Sequence, residues 1–204
     1  MEVLDDYHYF VRYEVESWLH QDANGEGYLT KIYGSIMRAE TEEDDEGSPC
    51  GHIRVSHLRC DDMMAHDDFD PRGWGKMDGD EMAEIARSLY RRSGEWVPEL
   101  ESMWGSIDPM DLIVINEIEL NKEHRGRGIG LQVVSRTLEL FGGPCGVAAL
   151  CPWPTEVDDE NDEKSARRAH RKLAKYSERL GFKNLQGTDV WVRSLVHGID
   201  RVEN

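Results

Sequence analysis

The stretch His-Arg-Gly-Arg-Gly-Ile-Gly, residues 124–130, separates a predicted strand from a predicted helix. The apolar run 112–120 before it is typical of a strand, and residues 129–141 after it are typical of a helix. Glycines have no Cβ atom to block a ligand, and the amides of a first helical turn have no partner inside the helix. These amides and the positive end of the helix dipole favour an anion. The stretch therefore predicts an anion-binding loop between strand and helix.

The composition of this loop suits a diphosphate. Arg125 and Arg127 add positive charge locally, in a chain with 24 basic and 41 acidic residues and a formal net charge of −17. The glycine spacing differs from the Gly-x-Gly-x-x-Gly of dinucleotide folds, and the loop lacks the Gly-Lys-Ser/Thr of a P-loop. A Rossmann fold and a nucleotide hydrolase are therefore disfavoured, while a tight turn without a ligand stays an alternative.

Strand and helix signals alternate around this loop, which indicates an α/β arrangement for the C-terminal half. The predicted elements there are a strand over 112–120, a helix over 129–141, a strand over 145–151, a helix over 163–180 and a hairpin over 182–195. The N-terminal part predicts strands over 7–15, 28–39 and 52–60, an acidic hairpin loop over 40–46, an irregular loop over 61–79, and helices over 80–90 and after Pro98.

The helix predicted over 163–180 has an apolar stripe and a basic stripe. The apolar stripe, which we expect to be buried, consists of Ala166, Ala169, Leu173, Tyr176 and Leu180. The basic stripe consists of Lys164, Arg168, Arg171, Lys175 and Arg179. It either meets a phosphate group or forms a solvated surface that the acidic residues between 156 and 163 neutralise.

Composition argues against several classes of protein. A net charge of −17 disfavours nucleic acid as a partner, because most of the surface repels phosphates. The lack of an apolar run of about 18 residues and of a signal peptide predicts a cytoplasmic protein without a membrane partner. The four cysteines are too sparse for a disulfide scaffold, and the eight histidines lack the spacing of zinc ligands, so we expect reduced thiols and no metal site.

Residues 124–130 resemble the acyl-CoA-binding motif of the GNAT acetyltransferase superfamily, Arg/Gln-x-x-Gly-x-Gly/Ala. Arg125, Gly128 and Gly130 match its fixed positions, and Leu-Gly-Phe at 180–182 ends the later helix at the distance expected for the family. The order of strands and helices around the loop is also similar. The resemblance covers residues 111–195, a little under half of the chain.

The resemblance implies one α/β (α+β) domain over 1–204, with a mixed, mostly antiparallel central sheet flanked by helices. Its parts are N-terminal strands over 1–60, a loop and helices over 61–110 that wall the acceptor site, and an acyl-CoA-binding half over 111–195. Family members usually place two helices between the first and second strands. Here the helices and a long acidic loop fall between the third and fourth strands, so we expect a differently built acceptor site.

The resemblance also implies where acetyl-CoA, the co-substrate, binds. The strands over 112–120 and 145–151 should splay apart and leave backbone amides for the pantetheine arm, and the diphosphate should rest on the amides of 125–130. The implied acetyl-CoA-binding residues are Ile118, Leu120, Arg125, Gly126, Arg127, Gly128, Ile129 and Gly130.

Four residues are candidates for proton transfer. Many family members carry a tyrosine, four residues before the glycine of Leu-Gly-Phe, that protonates the leaving thiolate; here Ser177 has that position and Tyr176 precedes it. One residue rotates a helical side chain by about 100°, so we expect Ser177 to lie nearer the thiol and Tyr176 to be a core residue. Glu117 and Glu119 share one face of their strand and are the candidate general bases. The glutamate used by the family's histone acetyltransferases falls at Val114.

The function implied is transfer of an acetyl group from acetyl-CoA to a primary amine by direct attack. We expect a cationic small molecule or peptide as acceptor, because the acidic chain attracts it. Aspartates of 61–70 with Glu117 or Glu119 either line its cleft or, in the case of the aspartates, form an ordinary solvated surface loop. The alternatives are a non-catalytic acyl-CoA-binding module and an interaction protein of the same fold without a ligand. A homodimer is a further expectation.

Overall fold

A computed structural model describes residues 8–17, 26–41, 43–65, 80–152 and 163–196 of the 204-residue chain. These residues form the strands β1 (His8–Ser17), β2 (Leu29–Ala39), β3 (Ser48–Leu58), β4 (Leu112–Leu120), β5 (Val147–Leu150), β6 (Lys183–Asn184) and β7 (Trp191–Ser194). Their α-helices are α1 (Cys60–Met64), α2 (Asp80–Leu89), α3 (Pro98–Trp104), α4 (Ile129–Phe141) and α5 (Glu163–Arg179). Short 3-10 turns at Glu26–Tyr28 and Lys122–His124 precede β2 and α4.

The strands form one sheet in the order β1-β2-β3-β4-β5-β7-β6. Neighbouring strands are antiparallel except for β4 and β5, which run parallel. α4 connects these two strands, because a parallel pair needs a connection that returns the chain to the same end of the sheet. The expected mixed, mostly antiparallel sheet with flanking helices is confirmed, and α1, α2 and α3 lie between the third and fourth strands in the chain.

Two apolar cores pack on the two faces of the sheet. On β4, Leu112 and Val114 belong to a core that contains residues of α2 and α3, whereas Ile113 and Ile115 belong to a core that contains residues of α4. All four residues of β5 are buried, and they alternate between the two cores in the same way. Burial on both faces explains why these parallel strands are continuous apolar runs in the sequence.

The acidic segment 40–46 is the loop of the β2–β3 hairpin. Asp44 closes it by accepting hydrogen bonds from the amide of Gly47 at 3.0 Å and the amide of Glu40 at 3.4 Å. The hydrogen bond from Gly47, followed by that from Glu40, lowers the pKa of the Asp44 carboxyl below its ordinary value. The negative charge of Asp44 therefore has a local structural role.

The chain order of predicted elements is found again in the described residues, and the helix predicted over 129–141 coincides with α4. One prediction was wrong, because the segment predicted as an irregular loop over 61–79 starts within α1. Cys60 and Met63 are both buried on one side of this single turn, and Asp61 and Asp62 lie in its first turn, where negative charge stabilises a helix. Residues 66–79 lie outside the described residues.

Within the described ranges, no helix combines the length and the apolar character that crossing a membrane requires.

Candidate functional site

The sheet opens between β4 and β5. Their pairing runs from Leu112 with Val147 to Ile115 with Leu150, where β5 ends. β4 continues to Leu120, and over this last part its partner among the described strands is β3. Backbone groups of β4 that point away from β3 therefore face a gap. Among the described residues, the pairing of these two strands ends at Ile115 and Leu150.

A bulge in β4 changes which of its side chains lie on each face of the sheet. The register with β3 shifts at Asn116, which has no facing residue on β3. Beyond this bulge Ile118 and Leu120 pack with the core that contains α4. Glu117 and Glu119 alternate with them and share the opposite face, as the sequence predicted.

The glycine loop connects the end of β4 to α4. Gly126 and Gly128 adopt φ angles of +81° and +80°, in the left-handed region that side chains disfavour. A Cβ atom on either residue would meet no other atom within 4 Å. Glycine is therefore needed here for backbone conformation, and open space lies beside the loop.

The first turn of α4 supplies amides for an anion. The carbonyl of Gly128 accepts hydrogen bonds from the amides of Leu131 at 3.1 Å and Gln132 at 3.2 Å, which begins the helix. The amides of Ile129 and Gly130 precede these and have no acceptor within the helix, as in any first helical turn. Together with the positive end of the helix dipole they form a site for negative charge.

Arg125 fixes the loop to the end of β4. Its Nε donates to the carbonyl of Leu120 at 2.6 Å, and its Nη2 lies 4.0 Å from Oε1 of Glu119. Its amide donates to the carbonyl of Lys122 at 3.3 Å and so closes the 3-10 turn. Because the Arg125 amide already has this acceptor, the amides that follow it are the better candidates for the diphosphate.

His124 attaches the same loop to the first strand. Its ring is buried, and its Nδ1 lies 3.1 Å from the hydroxyl of Tyr9 on β1. The two rings meet edge to face, with 5.8 Å between their centroids. The loop is thus anchored at two points, on β1 by His124 and on β4 by Arg125.

A cavity of about 410 Å³ occupies the gap between β4, β5, α4 and α5. This volume lies in the range of small-molecule sites. Its walls contain every predicted acetyl-CoA-binding residue except Arg127, together with all four candidates for proton transfer, Glu117, Glu119, Tyr176 and Ser177. Residues chosen from separate parts of the sequence therefore converge on one cavity.

α5 forms one wall of the cavity with the stripe that the sequence predicted to be buried. Ala169, Leu173, Tyr176 and Leu180 line it, and the side chain of Ala166 lies outside the described residues. Lys172, which belongs to neither predicted stripe, also lines the cavity. The basic stripe is exposed at Arg171, Lys175 and Arg179, and the side chains of Lys164 and Arg168 lie outside the description.

Tyr176 and Ser177 lie side by side in this wall. Ser177 is buried, and its hydroxyl donates to the carbonyl of Leu173 at 3.1 Å. Tyr176 is half-buried, and the guanidinium carbon of Arg179 lies 5.8 Å from its ring centroid. The expectation that Tyr176 is a core residue was wrong, because the face of α5 that carries it borders the cavity instead of a neighbouring element.

Two basic side chains of β3 contact Glu117. Arg54 Nε lies 2.6 Å from Oε2 of Glu117, and His52 Nε2 lies 3.4 Å from the same oxygen. Glu119 completes a cluster in which side-chain atoms of His52, Glu117 and Glu119 are within 4.8 Å of one another. Since Arg54 already binds the carboxylate of Glu117, we interpret the cluster as an ion-pair network. His52 and Arg54 were not predicted from the sequence, although their alternation along β3 matches that of the glutamates along β4.

The described part of the acidic segment 61–70 does not lie near Glu117 and Glu119. The amide of Asp61 donates to Asp111 at 3.0 Å, and the carboxylate of Asp61 accepts from the amide of Met110 at 3.2 Å. Asp111 precedes β4, six residues or roughly 20 Å of strand from Glu117. Asp61 therefore lies at the opposite end of β4, and the expectation that it lines the acceptor cleft was wrong; residues 66–70 lie outside the described residues.

The cysteines are free thiols, and three of the four are buried. Burial raises the pKa of Cys60 and that of Cys145 far above the ordinary value, so both remain protonated near neutral pH. Cys151, which is half-buried, lines the cavity just beyond β5.

No family model matches the sequence, and no curated protein matches it. Solved structures do match it, among them NAA60 of Arabidopsis thaliana in complex with acetyl-CoA. That structure is 11% identical, with a TM-score of 0.40, over 80% of this chain and 76% of that chain.

Two further matching structures come from insects. Mosquito arylalkylamine N-acetyltransferase like 5b is 12% identical, with a TM-score of 0.40, over 84% of this chain and 76% of its own. The polyamine N-acetyltransferase of Drosophila melanogaster, which forms N-acetylagmatine, is 12% identical, with a TM-score of 0.34, over 85% and 82%. Since these scores are below 0.5, the function proposed for this chain rests on its own strands, loop and cavity.

Proposed function

We propose that this chain is a GNAT-type N-acetyltransferase that moves the acetyl group of acetyl-CoA to a primary amine. The observation that carries this proposal is the coincidence of two features in one cavity. A pair of parallel strands opens beside it, and a glycine loop with a helix start borders it. An extended chain that ends in a diphosphate can use both features at once.

In this proposal each part of acetyl-CoA has a partner of matching chemistry. The pantetheine arm carries amides that pair with the backbone of β4 beyond Ile115, in the place that a further strand would take. The diphosphate rests on the first amides of α4, at Ile129 and Gly130. The acyl end then lies between the glutamates of β4 and the hydroxyl groups of α5.

The two glutamates have different roles in the proposed site. Glu119 lies beside Arg125, which binds the end of β4, and so helps to fix the loop. Glu117 is less exposed, at 18%, and is held in place by Arg54. We assign to Glu117 the removal of a proton from the acceptor ammonium, because only the neutral amine can attack the thioester carbonyl.

Formation of acetylated amine tests the proposal directly. Purified protein is incubated with acetyl-CoA and one of four primary amines: 1,4-diaminobutane, phenethylamine, β-alanine or a peptide with a free N-terminus. Mass spectrometry then detects the acetylated product. We expect protein-dependent product with at least one amine. Tight acetyl-CoA binding without any product would favour a non-catalytic binding module, and no binding would favour an interaction protein.

A further inference from the structure

Glu117 lies between the cavity and the open face of the sheet. It lines the cavity, while its Oε2 contacts two side chains of β3, Arg54 and His52. The exposed fraction rises along this route, from 18% for Glu117 to 44% for His52. A path of two titratable groups thus leads from the cavity to water.

Of the two basic side chains on Glu117, only His52 is able to carry a proton onward. A guanidinium does not give up its proton in proteins, so Arg54 can orient the carboxylate but cannot relay a proton. An imidazole takes a proton on one atom and releases it within the physiological pH range. Oε2 of Glu117 therefore has one partner that orients it, Arg54, and one that can exchange a proton with it, His52.

The surroundings of His52 are compatible with this role. Its facing residue on β2, Ser35, is uncharged, and its facing residue on β4 is Glu119. Glu119 is itself close to Arg125, and Arg12 on β1 faces Ser35 from the far side.

We propose that His52 is the relay through which the proton taken from the acceptor amine leaves the site. The proposal rests on the proposed acetyltransferase function. The acceptor ammonium gives one proton to Glu117, which passes it to Nε2 of His52 and from there to water. The neutral amine attacks the thioester carbonyl, the C–S bond breaks, and a second nitrogen proton ends on the thiol. One proton is released to water for each amide formed.

The test compares His52→Gln with the wild type, using the amine that reacts fastest in the four-member panel. We expect kcat to fall about tenfold or more, with acetyl-CoA affinity unchanged, because general acid–base steps have effects of this size or larger. His52→Gln should also change the acid side of the pH profile of kcat. Free imidazole in the buffer should restore a large part of the rate, since the site of His52 is open to water.

His8→Gln is the matched control, because it removes an exposed histidine at the start of β1 and should leave kcat unchanged. His52→Asn serves as a second variant if His52→Gln does not fold. An unchanged kcat in a folded His52 variant, or a loss that imidazole does not restore, would overturn the relay alone. A wild-type protein that binds acetyl-CoA but acetylates none of the amines would overturn the proposed function, and the relay with it.

Discussion

At the scale of single residues, the two hydroxyl groups of α5 differ in what they already bind. The one proton of the Ser177 hydroxyl is donated to the carbonyl of Leu173, so that bond must break before Ser177 can protonate a thiolate. The phenol of Tyr176 lies in the cavity wall and is a stronger acid than an alcohol. On these grounds we propose Tyr176, and not Ser177, as the group that protonates the thiolate.

We predict that Tyr176→Phe lowers kcat by about tenfold or more, whereas Ser177→Ala lowers it by less than about threefold. Steady-state kinetics with saturating acetyl-CoA and the fastest amine of the panel measure both. Tyr176→Phe keeps the ring and its packing, so the comparison isolates the hydroxyl. The reverse order of effects would return the acid role to Ser177.

Asp61 provides a prediction about stability and pH. Burial raises the pKa of its carboxyl, and Asp111 raises it further against the lowering effect of the Met110 amide. A carboxyl whose pKa is raised on folding binds its proton more tightly in the folded state. This contribution to stability is complete below the unfolded pKa of about 4 and is lost as pH rises through the folded pKa.

Asp61→Asn removes this pH dependence while keeping an oxygen that accepts from the Met110 amide. We predict that the variant has a higher melting temperature than wild type at pH 7 and that this difference is smaller near pH 4. Circular dichroism measures both melting temperatures at each pH. An equal shift at both pH values would show that charge is not the cause. A melting temperature lowered at pH 7 would contradict the prediction outright.

At the scale of elements, the close approach of β3 and β4 holds the end of β4 in place. Gly51 faces Leu120, and a Cβ on Gly51 would collide with the backbone oxygen of Glu119. We predict that Gly51→Ala lowers the free energy of unfolding by about 1–3 kcal/mol and weakens acetyl-CoA binding, because β4 must shift. Denaturant unfolding and calorimetry measure these two effects.

Gly143→Ala is the control for this substitution, since a Cβ on Gly143 meets no atom within 4 Å. It should change the free energy of unfolding by less than about 0.5 kcal/mol. If Gly51→Ala changed the free energy of unfolding no more than Gly143→Ala does, the close approach of β3 and β4 would not be needed to hold the end of β4 in place.

The elements that the sequence predicted best are those with a strong periodic signal. β4 and α4 were predictable because a doubly buried strand and an amphipathic helix differ clearly in their apolar spacing. The bulge at Asn116 was not predictable, since a bulge depends on the partner strand. The contact of Arg54 with Glu117 was missed for the same reason, because it needs the register of β3 on β4.

At the scale of the whole molecule, net charge and local charge act differently on the two substrates. The chain carries a formal charge of −17, but near the cavity Glu117 and Glu119 each lie beside an arginine. Attraction of a cationic acceptor therefore comes from the overall field more than from bare carboxylates at the site. Such a field extends over a screening length of about 10 Å at 0.1 M salt.

We predict that kcat/KM for 1,4-diaminobutane falls several-fold as ionic strength rises from low to physiological values. The zwitterion β-alanine, which has no net charge, should change little and serves as the control. Kinetics in a series of sodium chloride concentrations provide the measurement. Salt-independent turnover of the diamine would contradict steering by the net charge.

The proposed function places the diphosphate of acetyl-CoA at the glycine loop and the start of α4, and substitutions of Gly128 test this placement. Asparagine and aspartate tolerate its left-handed backbone better than other side chains, and the two have nearly the same shape. The variants Gly128→Asn and Gly128→Asp thus differ mainly by one negative charge at the loop. Calorimetric titration measures the affinity of each for acetyl-CoA. We predict at least about tenfold weaker binding for Gly128→Asp than for Gly128→Asn, because two negative charges a few ångströms apart repel strongly in a partly buried site. Equal affinities in two folded variants, or no binding by the wild type, would contradict the claim.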